Sequence, residues 1–226
     1  MRPERFRRLA RVLARRQPDL TVLMEKVNKS HNFSAILRNC DAVGVLEAHA
    51  VPPASGLELH HATSAGTRKW IRVVQHESVH AAVASLEAAG FHVLAAHPGE
   101  GARDYRDVDY TRPTAIMMGA ELYGVSEEGL ALAHGRVALP MMGMVHSLNV
   151  SVATALLLYE AMRQREAEGM YRGPRLEPDE YRRTLFEWAY PLLAERCRRE
   201  GRPYPHLDED GTILDAEGLK RSRGPS

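Results

Sequence analysis

An α/β domain built on a parallel sheet, with helices on both faces, is what this sequence predicts, and three observations carry the expectation. Short runs of apolar and β-branched residues alternate with longer stretches of helical period through the middle of the chain, the pattern of strands joined by crossover helices. Glycines stand just past three helical stretches, at Gly44, Gly90 and Gly169, where a left-handed residue can end a helix. Beyond Gly169 the strand signals stop, and proline, arginine and mixed charge take over. The chain therefore divides into a basic helical extension over 1–18, the α/β domain over 19–169, and a helical and irregular extension over 170–226.

At the start, Phe6, Leu9, Val12 and Leu13 recur at helical spacing, while Arg2, Arg5, Arg7, Arg8, Arg11, Arg15 and Arg16 face the single acid Glu4. This predicts an amphipathic helix with a basic face. Leu20 to Val27 reads as the first strand, followed by a helix from about Asn32 to Ala42 and a short strand from Glu47 to Val51. A loop containing His60, His61 and Gly66 leads to a helix from Ser78 to Ala89 and a strand from His92 to Ala96. Pro98 to Pro113 is polar and loop-like, and Thr114 to Met118 is a compact apolar strand. Ser126 is placed to cap a short helix, and Val137 to Leu139 is the last strand. A long helix follows from about Leu148 to Glu168, with Ser147 suited to cap it. In the final extension Pro178 to Ala194 has the apolar spacing of one more helix, and Arg202 to Ser226 is expected to be weakly ordered at its end.

Composition narrows the class. The 226 residues suffice for a full core, and a formal charge of +1 gives no overall attraction to nucleic acid, so local charge must decide. Arginine outnumbers lysine 26 to 4, which suits phosphate and base contact because the planar guanidinium binds bidentately and stacks. The excess runs through the whole chain, as genomic base composition also produces. Cys40 and Cys197 are too few for a disulfide framework or a zinc cluster. No apolar run reaches membrane-spanning length and no signal peptide is visible, so a cytoplasmic protein without metal is expected.

Sheets of this kind bind ligands at the carboxyl ends of their strands. The first such loop, KVNKSHN from Lys26 to Asn32, lacks a glycine-rich phosphate fingerprint, which disfavours a nicotinamide site. The other groups offered there are Asn32 and Arg38, then Gly119, Glu121 and Gly124, then Ser147 and Asn149. Six residues separate Asn32 from Arg38, so one helix carries both within two turns but on different stripes. The run LPMMGMVHSLNVSVATALLLYE from Leu139 to Glu160 sets a turn of small and polar residues, Gly143 among them, against a long apolar helix. Each of these residues also has an ordinary role open to it, as surface arginine, solvated loop acid or helix cap. By spacing alone they mark a pocket and leave its chemistry open.

The motifs themselves go further. NFSAILRNCDAVG (Asn32 to Gly44), MGAELYGVS (Met118 to Ser126) and LPMMGMVHSLNVSVA (Leu139 to Ala153) resemble, in order, the three motifs of the SpoU branch of the SPOUT RNA methyltransferases. The resemblance extends over roughly residues 1 to 215 and is closest to the tRNA guanosine 2′-O-methyltransferases of that family. It implies a parallel α/β domain whose C-terminal part is threaded into a deep trefoil knot, a homodimer, and S-adenosylmethionine as methyl donor. The implied reaction is 2′-O-methylation of tRNA, with guanosine 18 of the D loop as expected target. Another RNA such as ribosomal RNA is the alternative substrate, and a noncatalytic RNA-binding protein the alternative class.

Carried across on those motifs, the family's catalytic positions fall on Asn32, Arg38, Glu121, Ser147 and Asn149. Its cofactor walls fall on Ala96, His97, Gly119, Leu139, Met141, Ser147 and Leu148. Among the remaining basic residues, Arg7, Arg8, Arg11, Lys29, Arg68 and Lys69 are candidates for RNA contact. Two departures stand out: His146 where family members often have glutamine, and Ser30 where they often have proline.

Overall fold

The computed structural model describes residues 1–53 and 69–214, and among them seven strands form one sheet: β1 (Leu20–Glu25), β2 (Glu47–Val51), β3 (Arg72–Gln75), β4 (His92–Ala96), β5 (Ala102–Asp104), β6 (Thr114–Met118) and β7 (Gly135–Ala138). Their spatial order is β3-β2-β1-β6-β4-β7-β5, and every ladder is parallel. The helices are α1 (Pro3–Leu13), α2 (Ser30–Ala42), α3 (Val79–Ala88), α4 (Glu127–Leu132), α5 (Val150–Ala167), α6 (Pro178–Ala189) and α7 (Pro191–Arg199), with a 3-10 turn at Tyr105–Asp107.

The central strands β1 and β6 are buried at every residue, as expected when both faces of a parallel sheet are covered. Their side chains alternate between two cores. Leu20, Val22 and Met24 of β1 and Ile116 and Met118 of β6 pack with Phe33, Ile36 and Leu37 of α2 and Leu157, Leu158 and Ala161 of α5. Leu23, Ala115 and Met117 point the other way, onto Val79, Ala82, Val83 and Leu86 of α3 and Leu130 of α4. Leu20 is in register with Thr114 and Met24 with Met118, so these two strands end side by side.

Below their amino ends lies a fully buried arginine. Arg165, near the end of α5, gives Nε–H to the Tyr110 carbonyl at 2.9 Å. Its Nη1 donates to Asp19 Oδ1 at 2.6 Å and Gln17 Oε1 at 3.1 Å, and its Nη2 donates to the Asp19 and Arg112 carbonyls at 3.0 Å each. All five guanidinium donors are thereby used.

The chain forms two compact units, one of residues Gln17–Tyr171 and one of Met1–Arg16 with the segment from Arg172 onward. In the second unit the Tyr181 hydroxyl donates to the Ala10 carbonyl, the Tyr190 hydroxyl donates to the Gly211 carbonyl, and Arg16 lies 5.3 Å over the Trp188 ring. Within this unit Phe6, Leu9, Leu13 and Phe186 are buried.

Several expectations are corrected. Strands β3 and β5 occupy stretches expected to be loop; both are at sheet edges and half exposed, so neither needs an apolar run. β1 stops at Glu25 because Lys26 takes a left-handed φ of 53°. α2 begins two residues early at Ser30, and β7 lies at Gly135–Ala138 rather than at Val137 to Leu139. The single helix expected from Pro178 to Ala194 is two, split where Pro191 forces Tyr190 out of helical geometry. In α1, Val12 is exposed although its spacing is apolar, and Arg16 leaves the basic face because the helix ends at Leu13 and the following turn buries it. Ser147 does not cap the long helix; Asn149 does, accepting from the Ser151 N–H. His60, His61, Gly66 and Arg68 lie outside the described residues. Among the described residues no helix is long and apolar enough to cross a membrane, and no group of three or more His, Cys, Asp or Glu is arranged to hold a metal ion.

Candidate active site

Where β1 and β6 end together, two tight segments face each other. The first starts at Lys26, a strained conformation for a residue with a side chain, and runs to the first turn of α2. The second leaves β6 at Gly119. A Cβ at Gly119 would sit 1.9 Å from the Gly124 carbonyl carbon, so only glycine fits. Ala120 and Gly124 exchange both backbone hydrogen bonds, at 3.0 and 2.8 Å, and Gly124 has φ 68°. This closed turn leaves Leu122 and Tyr123 exposed and sends Glu121 back toward the first segment.

Glu121 is the joint between them. Its Oε1 accepts from the Asn32 amide at 2.8 Å and the Lys29 N–H at 3.1 Å, and its Oε2 from the Asn28 N–H at 3.3 Å. Asn32 is buried and uses its other amide atom too, its Oδ1 accepting from Asn149 Nδ2 at 3.1 Å. Asn149 in turn accepts from the Ser151 N–H and hydroxyl at the start of α5. Burial alone pushes the Glu121 carboxyl up, but the hydrogen bonds from Asn32 and from backbone N–H groups including Asn28 and Lys29 outweigh it and hold its pKa below the ordinary carboxylate value. Two turns further along α2, Asn39 donates to the Ser151 carbonyl at 2.8 Å. Asn32 and Asn39, seven residues apart, therefore share the face of α2 that meets α5.

Beside this network is a cavity of about 280 Å³. All seven residues expected as cofactor walls line it: Ala96 and His97 after β4, Gly119 after β6, Leu139 and Met141 after β7, and Ser147 and Leu148 before α5. Glu121 and His146 line it as well. Among its described lining residues there is one carboxylate and no lysine or arginine. Arg38, on the solvent side of α2, is exposed and holds no partner among the described residues. Its guanidinium has all five donors to offer.

These features can be set against known proteins. The SpoU rRNA methylase family model matches residues 19–159, and the model for the C-terminal part of SpoU rRNA methylases matches residues 163–216. The chain belongs to the SpoU family. A tRNA (guanosine(18)-2′-O)-methyltransferase of Escherichia coli (strain K12) is 51% identical to it over 215 residues, covering 94% of each chain. Among solved structures, the A. aeolicus TrmH/SpoU tRNA modifying enzyme is 40% identical, with a TM-score of 0.77 over 83% of this chain and 96% of that one. The SpoU methyltransferase AviRb from Streptomyces viridochromogenes, solved in complex with the cofactor AdoMet, is 29% identical with a TM-score of 0.59, over 67% of this chain and 60% of that one.

Of the five catalytic positions carried over from SpoU motifs, Asn32, Glu121 and Asn149 form one hydrogen-bonded chain, Ser147 lines the cavity, and Arg38 stands apart from both. The RNA-contact candidates belong to both units. Lys29 and Lys69 are exposed in the sheet unit. Arg7, Arg8 and Arg11 are exposed on α1 in the other unit, where Arg7 already pairs with Asp210 at 2.6 Å. Sequence reading passed over Glu25, the buried last residue of β1, whose carboxylate accepts from the Ser126 N–H at 2.9 Å and from the Ser126 hydroxyl. The available signal was a carboxylate ending an otherwise apolar strand.

Proposed function

We propose that this chain is a cytoplasmic tRNA 2′-O-methyltransferase that uses S-adenosylmethionine to methylate guanosine 18 in the D loop. The observation that carries the reading is the Asn149–Asn32–Glu121 chain, which fixes three distant segments of SpoU motif sequence beside one cavity. The relatives named above supply the substrate class.

The lining of the cavity fits the methyl donor. Small residues such as Ala96, Gly119 and Ala153 and apolar ones such as Leu139, Met141 and Leu148 suit a purine nucleoside, and a wall with one carboxylate and no lysine or arginine suits a cationic sulfonium rather than a phosphate. When bound, S-adenosylmethionine supplies the methyl group and a neutral thioether leaving group. The residues of the chain have to align the ribose 2′-hydroxyl with that methyl and favour negative charge on its oxygen. Arg38 does the second, holding the neighbouring phosphate and the developing alkoxide with its uncommitted donors. Guanidinium stays protonated, so it acts as a charge and not as a base. Glu121, Asn32 and Asn149 keep the segments that frame the cavity in place, and Ser147 contributes to its wall.

The trefoil knot and the homodimer belong to the same reading. The turn of Glu121 and the loop of Ser147 border one cavity although α4 and β7 separate them in the chain, an arrangement that suits threading of this part of the fold. On α5, Val152, Leu156 and Tyr159 are 47, 41 and 49% exposed on one stripe, opposite buried Leu157, Leu158 and Ala161. Such a helix, apolar on both sides, suits a second copy of the chain. Exposed Lys29, Lys69, Arg8 and Arg11 are the proposed phosphate contacts.

The deciding experiment incubates the protein with methyl-labelled S-adenosylmethionine and unmodified tRNA or ribosomal RNA, followed by nucleoside mapping. Label on the ribose of guanosine 18 is the expected result. Label on ribosomal RNA alone would move the substrate, and label on a base, or none on any RNA, would end the reading.

A further inference from the structure

We infer that Glu25 is a positioning residue for the proposed site, acting through Glu121. Two carboxylates cross between the same two segments in opposite directions. Glu121 reaches from the 119–124 turn to the backbone of Asn28 and Lys29 and the side chain of Asn32. Glu25 reaches from the end of β1 to the exit of that turn, taking both the N–H and the hydroxyl of Ser126. Met24 is in register with Met118, so Glu25 stands where the turn begins at Gly119 and fastens the point where it finishes.

The fastening is tight. Glu25 is 1% exposed, and a Cβ on Gly129 would lie 3.0 Å from its Oε2. Lys26 Nζ is 3.9 Å away, the nearest cation among the described residues. The Ser126 hydroxyl donates to Glu25 and accepts from the Gly129 N–H at 3.1 Å, so its hydrogen is committed. A buried carboxylate that loses such partners, or a turn that loses such an anchor, must rearrange. The rearrangement falls on Val125 and Gly124, one side of the turn that aims Glu121. Helix α4 alone does not call for Glu25, because Ser126 already caps it through its own side chain.

This inference rests on the reading that the Glu121 network serves methyl transfer, and its test separates the two. In Glu25→Gln, one acceptor oxygen and the volume remain while the charge is lost. Amide exchange at Asn28 and Lys29, whose N–H groups report Glu121 directly, should accelerate about tenfold. Turnover should fall by roughly 10- to 100-fold with S-adenosylmethionine binding unchanged. Glu25→Gln combined with Glu121→Gln should be no slower than Glu121→Gln alone. A purely structural Glu25 would lower Tm and leave turnover of the folded fraction intact, and a Glu25 acting independently of Glu121 would make the double variant slower than Glu121→Gln alone; either result overturns the inference. Unaltered exchange at Asn28 and Lys29 overturns it as well, and that readout holds even if the protein methylates no RNA. Should Glu25→Gln fail to fold, Ser126→Ala removes the hydroxyl partner while keeping the N–H, and the same exchange and turnover measurements decide.

Discussion

Helix α5 joins two ends of one sheet that are built in opposite ways. At its start, at the carboxyl ends of β1 and β6, Asn149 enters a chain of side-chain hydrogen bonds through Asn32 to Glu121, beside an open cavity. Sixteen residues later, about 24 Å along the axis, Arg165 is buried at the amino ends with every donor bonded. Two arginines of the same unit thus have opposite circumstances. The amino end spends its guanidinium on fixing backbone, which leaves nothing for a ligand. The carboxyl end uses a carboxylate and two amides to hold itself together, and exposed Arg38, six residues past Asn32 on α2, leaves its guanidinium unengaged. Arginine identity therefore carries no function by itself; what matters is whether its donors are already satisfied.

The largest expected effect tests the closed end. Arg165→Met keeps most of the packing volume but strips hydrogen bonds from three carbonyls and removes the Arg165 charge from Asp19. Breaking a buried pair in this way costs about 3–5 kcal/mol, to be read as a lower urea midpoint, with turnover of the remaining folded protein close to wild type. The next effect tests the unengaged arginine. Arg38→Ala should change stability by no more than about 0.5 kcal/mol while turnover falls roughly 10²- to 10³-fold and binding of S-adenosylmethionine is retained. If Arg38→Ala unfolded the protein, or Arg165→Met abolished turnover without loss of stability, the contrast between the two arginines would collapse.

The same contrast explains what could be read from sequence. β2, β4 and β6 match their expected bounds because strands covered on both faces must be short apolar runs. β3 and β5 pair along one side only, bury little, and carry no such run. At the carboxyl end, polar residues following apolar strands revealed a pocket, and the motif resemblance gathered seven of the residues that line the cavity. What neither spacing nor periodicity could reveal is the wiring. Asn32 meets a partner 89 residues away and another 117 residues away, pairings that exist only once the sheet has formed. Glu25 and Arg165 were hidden for a related reason: each is a charge inside an apolar period, and its partners lie on other elements.

The smallest effect concerns acid, and it follows from which groups titrate at each end. Glu121 has its pKa held below the ordinary carboxylate value, burial pushing it up and the bonds from Asn32, Asn28 and Lys29 prevailing. A carboxyl lower in the folded than in the unfolded chain stabilises the fold fully above the unfolded value of about 4.3, and that contribution is lost as pH falls through the folded value. At the amino end, four of the five bonds from Arg165 go to backbone carbonyls or to the Gln17 amide, none of which takes up a proton in this range. Acidification below the ordinary carboxylate range should therefore release the Asn28 and Lys29 amides to hydrogen exchange while the Thr114 N–H, bonded to the Asp19 carbonyl at 2.9 Å, stays protected. In Glu121→Gln the Asn28 and Lys29 amides should exchange faster already near neutral pH and lose this acid dependence. Simultaneous release of both ends in the wild type would mean that Glu121 is not the acid-sensitive joint, and that the two ends of the sheet loosen as one.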